Sequence, residues 1–172
     1  MKRPDWNTYF FNIMAVVATR SSCVRRQIGA IAVRDKRILA TGYNGAPTNT
    51  KHCVDIGGCM RERLKIPSGE QQQKCRAIHA EENLIVQAAI HGVSLKGCEI
   101  YCSTQPCVMC ARKLISIQPR GLYYQESYPD PEAIELLEEV ADYGVMLNQV
   151  NGKNVHHWGF RQYKKGFKYA NQ

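Results

Sequence analysis

The stretch 75-CRAIHAEENLIVQAAIHG-92 joins two patterns that serve different structural roles. From Ala80 onward apolar residues recur at helical spacing and a glycine closes the run, so we predict a helix from Ala80 to about His91. His79 and Glu81 then lie at its start, where an imidazole and a nearby carboxylate suit a metal site with a proton-transfer group. The segment therefore predicts a buried helix whose amino end carries a metal-binding and a proton-transfer side chain.

The motif PCVMC, from Pro106 to Cys110, supplies two more candidate ligands. Because proline is well tolerated at a first helical position, we predict a helix that begins at Pro106. Cys107 and Cys110 then lie on one side of that helix, and its positive end favours their thiolates. With His79 they offer three ligands to a tetrahedral Zn²⁺ and leave a fourth position open, as catalytic sites do. Glu81 is the predicted general base beside that position.

The rest of the chain alternates strand and helix patterns, which predicts an α/β sandwich with right-handed crossovers between its later strands. The first helix runs from its cap Asp5 to Thr19, and its predicted buried face carries Tyr9, Ile13, Val16 and Val17. The other predicted elements are a hairpin turning at Asp35-Lys36, a helix at 80–91, a strand at 98–102, a helix at 106–118, a strand at 121–126, a helix at 131–143 and a strand at 145–150.

Composition favours one globular domain over residues 1–172, with 44% hydrophobic and 22% charged residues. No apolar run reaches the roughly 18 residues of a membrane span, and polar residues interrupt the apolar N-terminal stretch, so we expect neither a membrane segment nor a signal peptide. In the reducing cytoplasm that this implies, eight cysteines point to metal binding rather than disulfides. The net charge of +8 favours anionic partners without choosing among them.

HAE at 79–81 together with PCVMC at 106–110 resembles the zinc nucleobase deaminases. The similarity runs from about Asp5 to Val150, includes GYNGAP at 42–47, and points to the deoxycytidylate (dCMP) deaminases of bacterial and phage type, including competence-operon homologues. It implies the cytidine deaminase fold, a three-layer α/β/α sandwich with a central mixed five-stranded sheet. It also implies hydrolysis of dCMP to dUMP and ammonia, feeding dTMP synthesis. A zinc-activated water would attack C4 while Glu81 moves protons to N3 and to the departing amine.

The same resemblance suggests how a nucleotide would be held. Arg26 would bind the phosphate, Asn44 a sugar hydroxyl, and Tyr128 would form a wall for the pyrimidine. The full predicted substrate-binding set is Arg26, Asn44, Ala80, Thr104 and Tyr128. Three other interpretations stay open: a solvated surface arginine, a plain turn at Asn44, and a loop aromatic packed on the core.

Regulation and assembly are implied by the resemblance alone. Residues Gly42, Tyr43, Asn44 and Gly45 would form an allosteric region that responds to dCTP as activator and dTTP as inhibitor. Mg²⁺ would accompany the triphosphate. The expected assembly is a homohexamer.

Six cysteines lie outside the predicted catalytic site. Cys98 and Cys102 are four apart on a predicted strand and are expected in the core. Relatives carry a structural zinc near the polar insertion at 46–74, and Cys23 and Cys53 match two of its ligands. We infer Cys59 and Cys75 as the others, with His52 as a substitute, because the insertion has too little apolar content to order itself. Four separate reduced thiols are the alternative.

Two other functions share part of this pattern. The tRNA adenosine deaminases carry a similar PCVMC element, and a basic surface suits RNA. A non-catalytic zinc-containing accessory protein could bind DNA through the basic tail at 151–172. The cysteine-rich insertion and GYNG favour the dCMP branch over the first, and Glu81 argues against the second. We therefore expect a small nucleotide substrate rather than nucleic acid.

Overall fold

The computed structural model describes residues 3–142, 144–151 and 154–156. Its helices are α1 (Trp6–Ala18), α2 (Met60–Arg63), α3 (Ala80–Ile90), α4 (Val108–Ser116) and α5 (Pro131–Asp142). Its strands are β1 (Gly29–Arg34), β2 (Arg37–Tyr43), β3 (Glu99–Thr104), β4 (Gly121–Glu126), β5 (Met146–Asn151) and β6 (Asn154–His156).

The strands form one mixed sheet in the order β2-β1-β3-β4-β5-β6. β1 is antiparallel to β2 and β3, whereas β3, β4 and β5 are parallel. The predicted α/β architecture and its five strands are confirmed. Strand β6, an antiparallel edge strand of three residues, was not predicted, because so short a segment shows no measurable alternation of apolar and polar residues.

The hairpin between β1 and β2 turns where the sequence predicts. Asp35 and Lys36 have φ angles of 51° and 61°. Positive φ at both central residues is the geometry whose twist matches a two-residue hairpin.

Helices cover both faces of the sheet. On one face, α1 buries Phe10, Phe11 and Met14 against sheet residues that include Tyr101 and Tyr123. On the other face, α3, α4 and α5 pack in a second core that contains Cys98 and Cys102, both fully buried as predicted.

The predicted buried face of α1 is wrong. Tyr9 and Val16 are 43% and 69% exposed, while Ile13 and Val17 pack only at the edge of the core. The helix offers two overlapping apolar sets, and the aromatic side chains of Phe10 and Phe11 occupy the space over β1 and β3.

α4 begins later than predicted. Pro106 precedes the cap residue Cys107, and the first helical residue is Val108. The cysteines still lie in the opening turn, so the consequence for the ligands is unchanged.

The insertion at 46–74 contains α2 and two short 3₁₀ turns, Val54–Ile56 and Gln72–Lys74. Most of the predicted basic tail at 151–172 lies outside the described residues. Within the described part of the chain, no helix is both long and apolar enough to cross a membrane.

Candidate active site

The starts of α3 and α4 meet at one edge of the sheet, where β3 also ends. His79 caps α3 and Cys107 caps α4, and neither side chain makes a capping hydrogen bond. Their side chains instead face each other: His79 Nδ1 lies 3.4 Å from the Sγ atoms of both Cys107 and Cys110. The three donor atoms lie within 4.8 Å of one another.

These donors fit a zinc ion. In a tetrahedral site an imidazole nitrogen and a thiolate sulfur are about 3.6 Å apart, close to the observed separation. The hydrogen bonds that the Cys107 sulfur accepts from Cys110 and from His79 lower the pKa of Cys107 to about 4, so that thiol ionises readily. The pKa of His79 is raised, mainly by its contact with Cys107. A buried set of one imidazole and two thiols suits Zn²⁺ better than a hard cation.

Glu81 lies in the first turn of α3 and is only 4% exposed. Burial raises its pKa, while the nearby His79 acts in the opposite direction. The next residue, Glu82, is different, since it pairs with Lys113 of α4. Of the two carboxylates, Glu81 is the one placed to exchange protons inside the site.

Two contacts fix the elements that carry the ligands. The chain just before His79 forms a β-bridge in which Gly45 and Ile78 exchange both backbone hydrogen bonds. The buried Asp130 carboxylate accepts from the backbone N–H of Val108 at 2.9 Å and from that of Ala133 at 3.1 Å. Asp130 therefore ties the starts of α4 and α5 together beside the thiols.

One cavity joins the predicted metal ligands to the predicted substrate residues. It encloses about 720 Å³, its open mouth included, and His79, Glu81 and Cys107 form part of its wall. The five residues predicted to bind substrate all line it as well: Arg26, Asn44, Ala80, Thr104 and Tyr128.

Three of these residues have protein partners of their own. The Asn44 amide donates to Arg26 O and accepts from Ser21 Oγ and Ile28 N, so it fixes the segment that leads into β1. Arg26 forms an ion pair with Glu126. The Tyr128 hydroxyl accepts from the backbone N–H of Gly69, at 3.1 Å, and so links the cavity wall to the insertion.

Several residues of the cavity wall were not predicted. They are Arg25, Arg61, Ser68 and Gln105. Gln105 could have been found, since it stands directly before the Pro-Cys pair. Arg61 gave no signal, because an arginine in a polar insertion reads as a solvated charge.

Two of the four GYNG residues, Gly42 and Tyr43, contact α3. Gly42 lies so close to the helix that an added Cβ would be 2.2 Å from the carbonyl oxygen of Ala80. The carbonyl of Tyr43 accepts from the Asn83 side chain at 2.9 Å. The region therefore positions the helix that carries His79, and its allosteric role stays a prediction.

The four cysteines predicted to bind a second zinc lie near one another in the structure. Cys53 and Cys59 are buried, Cys23 and Cys75 are half-buried, and all four are free thiols. Burial raises the pKa of Cys53, and the neighbouring Cys23, Cys59 and Cys75 raise it further. Among the described residues, however, only His79, Cys107 and Cys110 meet as closely as metal ligands do.

Most of the chain is similar to known proteins. The zinc-binding region of cytidine and deoxycytidylate deaminases matches residues 4–126. ComE operon protein 2 of Bacillus subtilis (strain 168) is 39% identical over 151 residues, which cover 87% of this chain and 74% of that protein. The deoxycytidylate deaminase of Schizosaccharomyces pombe is 35% identical over 148 residues, 86% of this chain but only 44% of that longer protein.

A solved structure shares the fold. The crystal structure of dCMP deaminase from the cyanophage S-TIM5, in complex with dCMP and dUMP, superposes with a TM-score of 0.68. The match covers 87% of this chain and all of that one, at 24% sequence identity. At 24% identity, this similarity establishes a shared fold and nothing more.

Proposed function

The chain belongs to the cytidine and deoxycytidylate deaminase family, whose zinc-binding region it carries, and from that premise we propose that it converts dCMP and water to dUMP and ammonia. One observation carries the proposal: the donor atoms of His79, Cys107 and Cys110 meet beside the buried carboxylate of Glu81, in an open cavity that the predicted substrate residues also line. Relatives that are named deoxycytidylate deaminases support the choice of substrate.

His79, Cys107 and Cys110 would hold the zinc ion. Zinc, when bound, makes a water molecule acidic enough to act as a nucleophile near neutral pH. Glu81 takes a proton from that water and gives it to N3 of the cytosine while the oxygen bonds to C4. It then passes the second water proton to the amino group, and the C4–N bond breaks to release ammonia.

The burial of Glu81 suits this double task. A carboxyl group that is 4% exposed holds a proton more readily than one in water, because burial disfavours its charged form. The group can therefore accept a proton at one step and return it at the next.

The cavity wall suggests how the substrate lies. Ala80, Thr104 and Tyr128 line the same cavity as His79 and Cys107 and would surround the base. Arg26 and Asn44 lie at the segment that leads into β1 and would contact the phosphate and sugar.

A substrate panel tests the assignment. Zinc-loaded protein is given dCMP, CMP, deoxycytidine, dCTP and a tRNA anticodon stem, and loss of the amino group is followed by chromatography. We expect dCMP to have the highest kcat/KM. Turnover of the tRNA stem with dCMP left intact would refute the proposed function and favour RNA deamination.

We propose that Cys23, Cys53, Cys59 and Cys75 hold a second, structural zinc. The burial of Cys53 and Cys59 and the proximity of all four thiols support this, since the polar insertion that carries Cys53 and Cys59 has too little apolar content to order itself. Small movements of the four side chains would be needed to close a tetrahedral site. His52 stays the substitute ligand.

The remaining proposals concern assembly and regulation. A homohexamer is supported by exposed apolar side chains next to the edge strand β2, namely Ile38, Val86 and Ile90. Regulation by dCTP with Mg²⁺, and by dTTP, would act through GYNG because Gly42 and Tyr43 contact the first turns of α3. A single domain in a reducing cytoplasm agrees with eight free cysteines.

A further inference from the structure

The cavity contains four buried polar atoms that have no hydrogen-bond partner. They are Arg25 Nη1, Arg61 Nε, Thr104 Oγ1 and Gln105 Nε2. All four residues line the one cavity that also holds His79 and Glu81. Because a buried polar group without a partner is costly, four of them around one space indicate a polar ligand that completes them.

Arg61 differs from the other cavity arginines in lacking a carboxylate partner. Arg25 pairs with Glu62, and Arg26 pairs with Glu126. Among the residues that the structure describes, Arg61 forms no ion pair, although it is only 7% exposed. A buried guanidinium of this kind calls for a negative charge.

The backbone around Arg61 holds it rigidly. Its Nη2 donates to the carbonyl oxygens of Pro67 and Glu70, at 2.7 and 2.6 Å, so the 67–70 turn wraps around the guanidinium. That turn is itself pressed against the loop after β4, since a Cβ on Gly69 would lie 2.0 Å from Pro129 O. The Nε–H group of Arg61, a residue of the cavity wall, has no hydrogen-bond partner among the described residues.

We propose that Arg61 joins Arg26 in binding the phosphate of the nucleotide and makes the enzyme selective for a nucleoside monophosphate over a nucleoside. The proposal rests on the proposed function and deepens it, because it gives the cysteine-rich insertion a part in substrate choice. Arg25, with its unpartnered Nη1, lies on the same cavity and adds positive charge there. Thr104 and Gln105, next to Cys107, are left to hydrogen-bond the base.

The cysteine-rich insertion would then help to bind the phosphate of the substrate. Cys59 caps α2, which carries Arg61 two residues after the cap, and Cys59 and Cys75 line the cavity with Arg61. Zinc binding by Cys59 and Cys75 would therefore also fix the position of Arg61. A different role for Arg61 is to balance thiolate charge, since its own charge opposes the rise that burial causes in the pKa of Cys75.

The test compares Arg61→Gln and Arg61→Lys with Arg63→Gln, an exposed arginine of the same helix that does not line the cavity. We expect Arg61→Gln to lower kcat/KM for dCMP about 10- to 100-fold, the range for loss of a charged hydrogen bond. The value for deoxycytidine should stay within about threefold. Arg61→Lys should recover part of the loss, and Arg63→Gln should match the wild type.

Zinc content and product binding complete the test. Equal losses for dCMP and deoxycytidine, or a fall in zinc per chain in Arg61→Gln, would overturn the proposal and assign Arg61 to the thiolates. If deoxycytidine turnover is too slow to measure, calorimetric Kd values for dUMP and deoxyuridine replace the rates. Arg61→Gln should then weaken the binding of dUMP and leave that of deoxyuridine unchanged, and equal losses would overturn the proposal. A wild-type protein that binds dUMP but leaves dCMP unchanged would refute the proposed function while the Kd ratio still judges Arg61.

Discussion

Glu81 and Glu82 show how position alone separates two identical side chains. Both lie in the first turn of α3. Glu81 faces the ligand cluster and is buried, whereas Glu82 points to Lys113 at a partly exposed site. Burial raises the pKa of the Glu81 carboxyl, which suits the proton-transfer role proposed for it.

Asn44 tests whether a predicted substrate contact is also a structural one. Replacing Asn44 by Ala removes three hydrogen bonds between the end of β2 and residues 21–28. We expect the free energy of unfolding to fall by about 3 kcal/mol, at about 1 kcal/mol for each bond, as measured by urea denaturation.

The matched control for Asn44 is Asn12→Ala, on the exposed side of α1, which should change stability by less than about 0.5 kcal/mol. An Asn44→Ala protein of wild-type stability whose KM for dCMP rises would show instead that the amide acts on the sugar alone.

At the scale of elements, the join between β2 and α3 sets the position of His79. Gly42 has no room for a side chain, because a Cβ there would meet backbone atoms of Ala80 and Leu84 at 2.2 and 2.4 Å. The close approach brings the helix start over the end of the strand. Such a requirement for glycine reflects packing rather than turn geometry.

Gly42→Ala should therefore displace α3. We expect a loss of about 3 kcal/mol or more in the free energy of unfolding, the upper range for overpacking, and less bound zinc per chain. Gly45→Ala is the control, since its Cβ would meet side-chain atoms alone, the Ser22 hydroxyl at 3.0 Å and the Tyr43 ring at 3.9 Å, and should change stability by less than about 1 kcal/mol. Equal stability of the two variants would disprove the packing argument.

The insertion is the element that depends most on metal. If Cys53 is a structural ligand, Cys53→Ala should reduce the zinc content from about two ions per chain to about one, measured by mass spectrometry of the purified protein. Cys98→Ala, which removes a core thiol outside both clusters, should keep both ions. About one zinc in the wild type, unchanged by Cys53→Ala, would leave four independent thiols as the correct description.

At the scale of the whole molecule, one sheet edge collects the site from distant parts of the sequence. β2, β3 and β4 all end there, and β1 begins there because it is antiparallel to β2 and β3. The loops at this edge therefore bring the GYNG region, the PCVMC motif and Tyr128 around one cavity. This is the expected place for function in a sheet with parallel strands.

The zinc ligands and most strands could be predicted, because their signals are local: spacing on a helix, alternation in a strand, a two-residue turn. The buried face of α1 could not, since only the shape of the sheet decides between Phe10 and Tyr9. The burial of Arg61 could not be predicted either. It depends on the 67–70 turn that folds around the side chain, and on Tyr128, which holds that turn from a loop 59 residues after Gly69.

The most direct test of the central claim is the rate at which zinc-loaded protein converts dCMP to dUMP and ammonia, compared between wild type, Glu81→Gln and Glu82→Gln. We predict that wild type and Glu82→Gln turn over at similar rates. Glu81→Gln should keep its zinc and lose activity by a factor of about 10² to 10⁴, the range for loss of a general acid–base group. Wild-type activity in Glu81→Gln, or a zinc-loaded wild type that leaves dCMP unchanged, would contradict the account.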